Sequence, residues 1–134
     1  MARQTTLFTV EEDNRDAGKT FLITEMAAAQ AESWAMRALL ALMAGDVDLP
    51  RIDPALGMVG MAEVGIKALA KLNWEVAEPL LDEMWTCIEF VPDAKKPHVK
   101  RPLIDSDIEE VKTRLRLRLE VLKLHLDFLK AVAP

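Results

Sequence analysis

The stretch TRLRLRLEVLKLHLDFL, residues 113–129, constrains the fold of this chain more than any other segment. Its first leucines alternate with arginines, which is the period-two pattern of a half-buried β-strand. Its residue types favour a helix instead, because leucine, arginine, lysine and glutamate dominate and β-branched residues are scarce. Ser106 and Glu109 also have the spacing of a capping box, which marks a helix N-terminus. We therefore predict a long C-terminal helix that begins at Ser106.

Helical geometry resolves this alternation into two opposed apolar faces. Successive residues of a helix lie about 100° apart around its axis. Face A, as we name it, consists of Ile108, Val111, Leu115, Leu119, Leu122, Leu126 and Leu129. Face B, on the opposite side, consists of Leu117, Val121, Leu124 and Phe128. A charged face lies between them, and opposite charges four residues apart, such as Arg116 and Glu120, predict ion pairs there.

Face B has two interpretations, because a helix with two apolar faces must bury both of them. In either interpretation, face A is predicted to pack on the core of the domain. Face B is then either buried between the other elements of the same chain or used as a docking surface for a second copy or a partner protein. We favour docking, because an exposed apolar stripe without such a role promotes aggregation. The predicted interface residues are Leu117, Val121, Leu124 and Phe128.

The rest of the sequence predicts an α+β fold, mainly α, in a single domain over residues 1–134. The segments TTLFTV and KTFLIT are rich in threonine and large apolar residues and flank the polar loop EEDNRDAG, so residues 1–24 are predicted to form a β-hairpin. An isolated hairpin is only marginally stable, so it should pack on helices. Residues 25–134 are predicted to form about four helices, with an extended Pro-containing loop at 91–103.

Three of these helices are predicted to precede the loop. Alanine, leucine and methionine, which are good helix formers, fill the first. Asp53 and Pro54 have the residue types of an N-cap and a first turn, and Asn73 has the residue type of another N-cap. The predicted limits are residues 27–43 for the first helix, 53 to about 72 for the second, and 74 to about 90 for the third. Pro79 should either kink the third helix or reset its start.

Composition and charge exclude several classes of function. A formal net charge of -5 gives no overall attraction to nucleic acid. Cys87 is the single cysteine, so a disulfide framework and a cysteine-pair metal site are excluded, and a reducing cytoplasm is the expected compartment. The Ala-rich segment 27–44 contains Glu32 and Arg37, so we predict a buried helix and no membrane association.

The sequence contains no recognisable catalytic constellation. The predicted third helix is acidic, and its carboxylates could bind a hard metal ion or transfer protons, but an exposed acidic face is the simpler interpretation. Its acidic residues are Glu75, Glu78, Asp82, Glu83 and Glu89. His98 and His125 lack the companion residues of a nucleophilic or zinc site. We therefore predict no enzymatic activity, no cofactor and no metal site, and we expect a helix-rich adaptor that self-associates.

Three segments together resemble the small tail assembly chaperones of long-tailed bacteriophages. They are GKTFLITEMAAAQAESWAMRALLAL (18–42), GIKALAKLNWEVAEPLLDEM (65–84) and RPLIDSDIEEVKTRLRLRLEVLKLH (101–125), in this order and spacing. The resemblance implies a non-enzymatic protein of the host cell cytoplasm that binds the tape measure protein, keeps it soluble and helps recruit tail tube subunits. It also implies a homo-oligomer, a frameshift-extended form of the same protein as a further partner, and absence from the mature virion. The alternative is a structural tail or head-completion protein that stays in the virion.

Overall fold

An antiparallel β-sheet and three helices make up most of the described chain. The computed structural model describes residues 3–45 and 65–132, with the side chains of 126–132 excepted. Within these ranges the sheet has four strands in the order β1-β2-β3-β4, namely β1 Thr5–Thr9, β2 Thr20–Thr24, β3 Ile88–Val91 and β4 Arg101–Pro102. The helices are α1 Ala28–Ala44, α2 Trp74–Glu83 and α3 Val111–Val132, and residues 65–69 are helical as well. This is the mixed α+β class that the sequence predicts.

Strands β1 and β2 pair in the region of the predicted hairpin. Their antiparallel register places Leu7 opposite Leu22 and Phe8 opposite Phe21. The connecting loop needs a left-handed residue, and Gly18 provides it with a φ of 82°. The Gly18 amide donates to the Val10 carbonyl over 2.9 Å, which closes the loop at the end of the hairpin.

Strands β3 and β4 differ from the prediction, which placed a helix up to residue 90 and an extended loop over 91–103. Helix α2 ends at Glu83, and a 3₁₀ turn, Met84–Cys87, leads into β3. The sheet supplies backbone partners and an apolar surface for this segment, and tertiary contacts of that kind override helix propensity. Phe90 packs edge-on against Phe21 with ring centroids 5.5 Å apart, and the Arg101 guanidinium lies 4.7 Å from the Phe90 centroid.

The predicted first helix agrees with α1 to within one residue at each end. The predicted second helix lies largely outside the described residues, so the number of about four helices stays a prediction. Pro79 lies inside α2 and does not end it. The predicted ion pair between Arg116 and Glu120 is present, with an N–O distance of 3.2 Å.

Helix α3 begins at Val111 and not at Ser106, because its N-terminus is capped from the hairpin loop. Both Asp16 carboxylate oxygens accept backbone hydrogen bonds, Oδ1 from the Glu109 amide and Oδ2 from the Glu110 amide, each over 2.9 Å. The predicted capping box would have needed Ser106 to bind one of these amides. Ser106 is exposed instead, within a short 3₁₀ turn.

The core lies between the sheet and α3, and it contains most of face B. Leu117 is 0% exposed, Val121 1% and Leu124 7%. This burial contradicts the predicted docking role of these three residues, and the side chain of Phe128 lies outside the described part. The buried members of the core are Val10, Phe21, Ile23, Met26, Met84, Cys87, Ile88, Leu117, Val121, Leu122 and Leu124.

Face A is exposed at the start of α3, where it was predicted to be core. Val111 is 71% exposed and Leu115 is 56% exposed. The contacts of Asp16 explain this orientation. Thr113 also donates a hydrogen bond to Asp16, and Thr113 lies on the same side of the helix as Leu117, so both side chains are buried. Face A becomes buried only further along, where Leu122 packs near Gly65.

Candidate protein-interaction surfaces

The outward side of α1 is an exposed apolar surface, which we name the α1 face. It consists of Met36, Leu39, Leu40 and Met43, which occupy positions i, i+3, i+4 and i+7 on one side of the helix. Only Ala38 and Leu42 of this helix are buried, although the sequence predicted a buried helix. A helix with so few charged residues is normally covered on all sides. The α1 face is therefore an exposed surface with the apolar composition of a protein core.

The α1 face has few charges to keep it in water. Glu32 and Arg37 are the charged residues of α1. The Arg37 guanidinium donates to both carboxylate oxygens of Glu83 in α2 over 2.9 Å, so its charge is directed towards the neighbouring helix. Trp34 also joins α1 to α2, since its indole N–H donates to the Leu80 carbonyl over 2.8 Å. These contacts fix the orientation of α1 and leave its apolar residues exposed.

An apolar groove of about 580 Å³ lies beside the α1 face, between α1 and α3. Alanines on its α1 side allow another element to approach the helix closely. Its lining includes Met26, Ala28, Ala31, Trp34, Ala35, Met36, Met84, Val121 and Leu122, with Glu25, Glu32 and His125 as polar members. Because Met36 belongs to both, the groove and the α1 face form one continuous apolar surface.

His125 is a structural residue in this groove. Its Nε2 accepts a hydrogen bond from the Met26 amide over 2.8 Å, and its Nδ1 lies 2.8 Å from the Val121 carbonyl oxygen. These partners require a proton on Nδ1 and none on Nε2. Both ring nitrogens have hydrogen-bond partners, so His125 joins α3 to the segment before α1.

The acidic residues of α2 do not converge on a site. Glu75, Glu78 and Asp82 are exposed, and within residues 3–45 and 65–132 no three His, Cys, Asp or Glu side chains are grouped as metal ligands. His98 is exposed in the loop before β4. Burial raises the pKa of the Cys87 thiol to about 11, so this thiol is protonated at neutral pH.

Two arginines of α3 form a second surface with Trp85, and sequence analysis did not single it out. The guanidinium carbons of Arg114 and Arg118 lie 4.2 Å and 5.0 Å from the Trp85 ring centroid. Val111 and Leu115, the exposed residues of face A, lie on the same side of α3. We name this group of five residues the Arg-Trp patch. The spacing of Arg114 and Arg118, one turn apart, is visible in the sequence, but the position of Trp85 against them is not.

No family model matches the chain, and neither the curated proteins nor the solved structures include a match to it. None of the helices in the described part is both long enough and apolar enough to cross a membrane. The interpretation of function therefore depends on the geometry of the two surfaces and on the resemblance of the three sequence segments.

Proposed function

We propose that this protein is a non-enzymatic tail assembly chaperone of a long-tailed bacteriophage. In this role it binds the tape measure protein, keeps it soluble and helps recruit tail tube subunits. The resemblance of segments 18–42, 65–84 and 101–125 supports the family. The exposed α1 face is the observation that supports a client-binding role, because a chaperone for a helical client needs accessible apolar surface.

The α1 face suits an amphipathic helix as its client. An amphipathic helix docks by placing apolar residues at a spacing of three or four into an apolar groove. The α1 face has the same spacing, and the adjoining groove offers room beside it. Met36 and Met43 add adaptability, since the unbranched methionine side chain fits partners of different shape. The net charge of -5 keeps a protein with such a surface in solution.

The same proposal includes homo-oligomers, a frameshift-extended form of the chain as a partner, and a location in the host cytoplasm. The oligomer would use surface other than face B, because Leu117, Val121 and Leu124 are buried within the chain. Like the client-binding role, these features are inferred from the resemblance.

Co-expression tests the client-binding role. The tape measure protein should be more soluble when it is co-expressed with this chain than when it is expressed alone, and it should co-purify with the chain. If it stays insoluble in the presence of the folded chain, the proposal is wrong.

A substitution in the α1 face should abolish client binding without loss of fold. Leu40→Asp introduces a charge at a side chain that is 58% exposed, and we expect at least about a tenfold loss of co-purified tape measure protein. Circular dichroism should show unchanged helicity. Val99→Asp is the matched control, because Val99 is also half exposed and lies in the loop before β4.

Two outcomes would contradict the role of the α1 face. Equal recovery of the client with Leu40→Asp and Val99→Asp would show that the client binds elsewhere. A large fall in melting temperature for Leu40→Asp would show that the chain itself covers this face. The alternative, a structural tail or head-completion protein, is tested by mass spectrometry of purified virions, from which a chaperone should be missing.

A further inference from the structure

The Arg-Trp patch contains two cations that have no ionic partner among the described residues. Among the ion pairs of the described residues, those of α3 involve Lys112 with Glu12 and Arg116 with Glu120, and neither Arg114 nor Arg118 takes part in one. The guanidinium groups instead lie against the indole of Trp85. Arginine stacked on an aromatic ring keeps its planar donors directed outward and fixed, which prepares them to bind a planar carboxylate.

The polar atoms of the patch are incompletely paired. The Nε of Arg118 and the indole Nε1 of Trp85 are buried and have no hydrogen-bond partner in the described part of the chain. Burial lowers the pKa of Arg118, Arg114 lowers it further by like-charge repulsion, and Asp82 acts in the opposite direction. Two like charges one turn apart also destabilise a helix. A negative group placed between the guanidiniums would relieve this repulsion.

Apolar residues lie next to the two arginines. Val111 and Leu115 are the most exposed large apolar residues of α3 within its described side chains. A partner that presents carboxylates beside apolar side chains would therefore match both parts of the patch.

We propose that the Arg-Trp patch is a docking site for an acidic, amphipathic segment of a partner protein. A glutamate or aspartate of that segment binds the terminal guanidinium nitrogens of Arg114 and Arg118, and its apolar residues cover Val111 and Leu115. The observations that support this partner are the two guanidiniums, for which the described part of the chain provides no carboxylate partner, and the apolar residues beside them. The patch lies on α3, apart from the α1 face, and does not depend on the chaperone role.

A protein segment fits the patch better than a nucleic acid does. Nucleic acid binding draws on many cations that neutralise successive phosphates, and the chain has a net charge of -5. The patch offers two cations and two aliphatic side chains, which is the composition of a protein interface centred on arginine and tryptophan.

The test uses a fluorescein-labelled amphipathic peptide of about 16 residues, with glutamates beside a leucine stripe at helical spacing. Fluorescence anisotropy measures its Kd for the full chain. Arg114→Glu reverses the charge at an exposed side chain and should raise the Kd at least about tenfold. Lys112→Glu is the matched control, because it makes the same charge reversal on the opposite side of α3. It should change the Kd by less than about twofold. The ion pair of Lys112 with Glu12 is exposed, so its loss should have little effect on the fold.

Further controls separate the possible causes of binding. A peptide with glutamine in place of glutamate should bind at least about tenfold more weakly, since charge-assisted hydrogen bonds are the stronger kind. Val99→Asp, at an exposed position outside both surfaces, should leave the Kd unchanged, which excludes a general effect of an added negative charge. The proposal is overturned if the wild type does not bind the peptide, if Arg114→Glu and Lys112→Glu weaken binding equally, or if a single-stranded oligonucleotide displaces the peptide at lower concentration than unlabelled peptide does.

Discussion

Leu117→Ala should lower the free energy of unfolding by about 3 kcal/mol, because it removes a fully buried side chain and leaves a cavity between α3 and the sheet. Leu117 is 0% exposed and belongs to the same cluster as Phe21 and Ile23 of β2. Urea unfolding followed by circular dichroism measures the change. A decrease of this size is a large fraction of the total free energy of unfolding of a domain of this length.

Leu115→Ala is the matched control for Leu117→Ala, two residues away on the same helix. Leu115 is 56% exposed, so its truncation should change the free energy of unfolding by less than about 0.5 kcal/mol. The sequence prediction placed face A on the core. If that prediction were right, Leu115→Ala would lower the free energy of unfolding more than Leu117→Ala does. If Leu115→Ala proves the more destabilising, the orientation of α3 described above is wrong.

The sequence identified the two faces of α3 but not which of them packs on the sheet. Both faces consist of leucine and valine with helical spacing, so periodicity alone does not distinguish them. The orientation depends on Asp16, which is more than ninety residues away from the amides of Glu109 and Glu110 that it binds. Local patterns contain no information about such a contact.

Elements with strong local signals were predicted more accurately than those that depend on pairing. Helix α1 and the first two strands follow from residue type and from the polar loop between the strands. Strand β3 is four residues long and directly follows the 3₁₀ turn at the end of α2, and its backbone partners come from β2. Short apolar runs of this kind are ambiguous between helix and strand until a partner is known.

The candidate surfaces differ in the same way. The scarcity of charge in α1 is visible in the sequence, but it predicted burial, and the exposure of Leu40 and Met43 is visible only in the structure. The Arg-Trp patch requires the 3₁₀ turn that contains Trp85 to lie beside the first turns of α3, which is a tertiary contact. An arginine pair one turn apart does not by itself indicate a contact with an aromatic ring, so the patch was not predicted from the sequence.

Asp16→Asn should lower the free energy of unfolding by about 3 kcal/mol at neutral pH, since it removes one partner of a buried ionic network. The Asp16 side chain is 0% exposed, and its Oδ1 accepts a hydrogen bond from Lys19 Nζ over 3.0 Å. An asparagine amide keeps one acceptor oxygen, but its NH₂ group would face a backbone N–H of Glu109 or Glu110. Asp13→Asn makes the same chemical change at an exposed position of the same loop and should have little effect.

The dependence of stability on pH should distinguish the charge of Asp16 from its shape. Burial alone would raise the pKa of Asp16, but hydrogen bonds from Thr113, the Glu109 amide, Lys19 and the Glu110 amide lower it to about 2. Because the pKa is lower in the folded state than its ordinary value of 3.8, ionised Asp16 stabilises the fold above that value. The contribution, about 2 kcal/mol, is lost as the pH falls from about 5 towards 2.

Urea unfolding between pH 7 and pH 2 measures this loss. In the wild type the free energy of unfolding should fall steeply below pH 5, and the lowered pKa of Asp107, caused first by its hydrogen bond from Arg101, adds a loss of the same sign. Asp16→Asn should be less stable at pH 7 and should have a shallower slope, because the titrating carboxyl group is gone. Asp13→Asn should retain the wild-type slope. An Asp16→Asn protein with the full acid-dependent loss would contradict the assignment of that loss to the cap of α3.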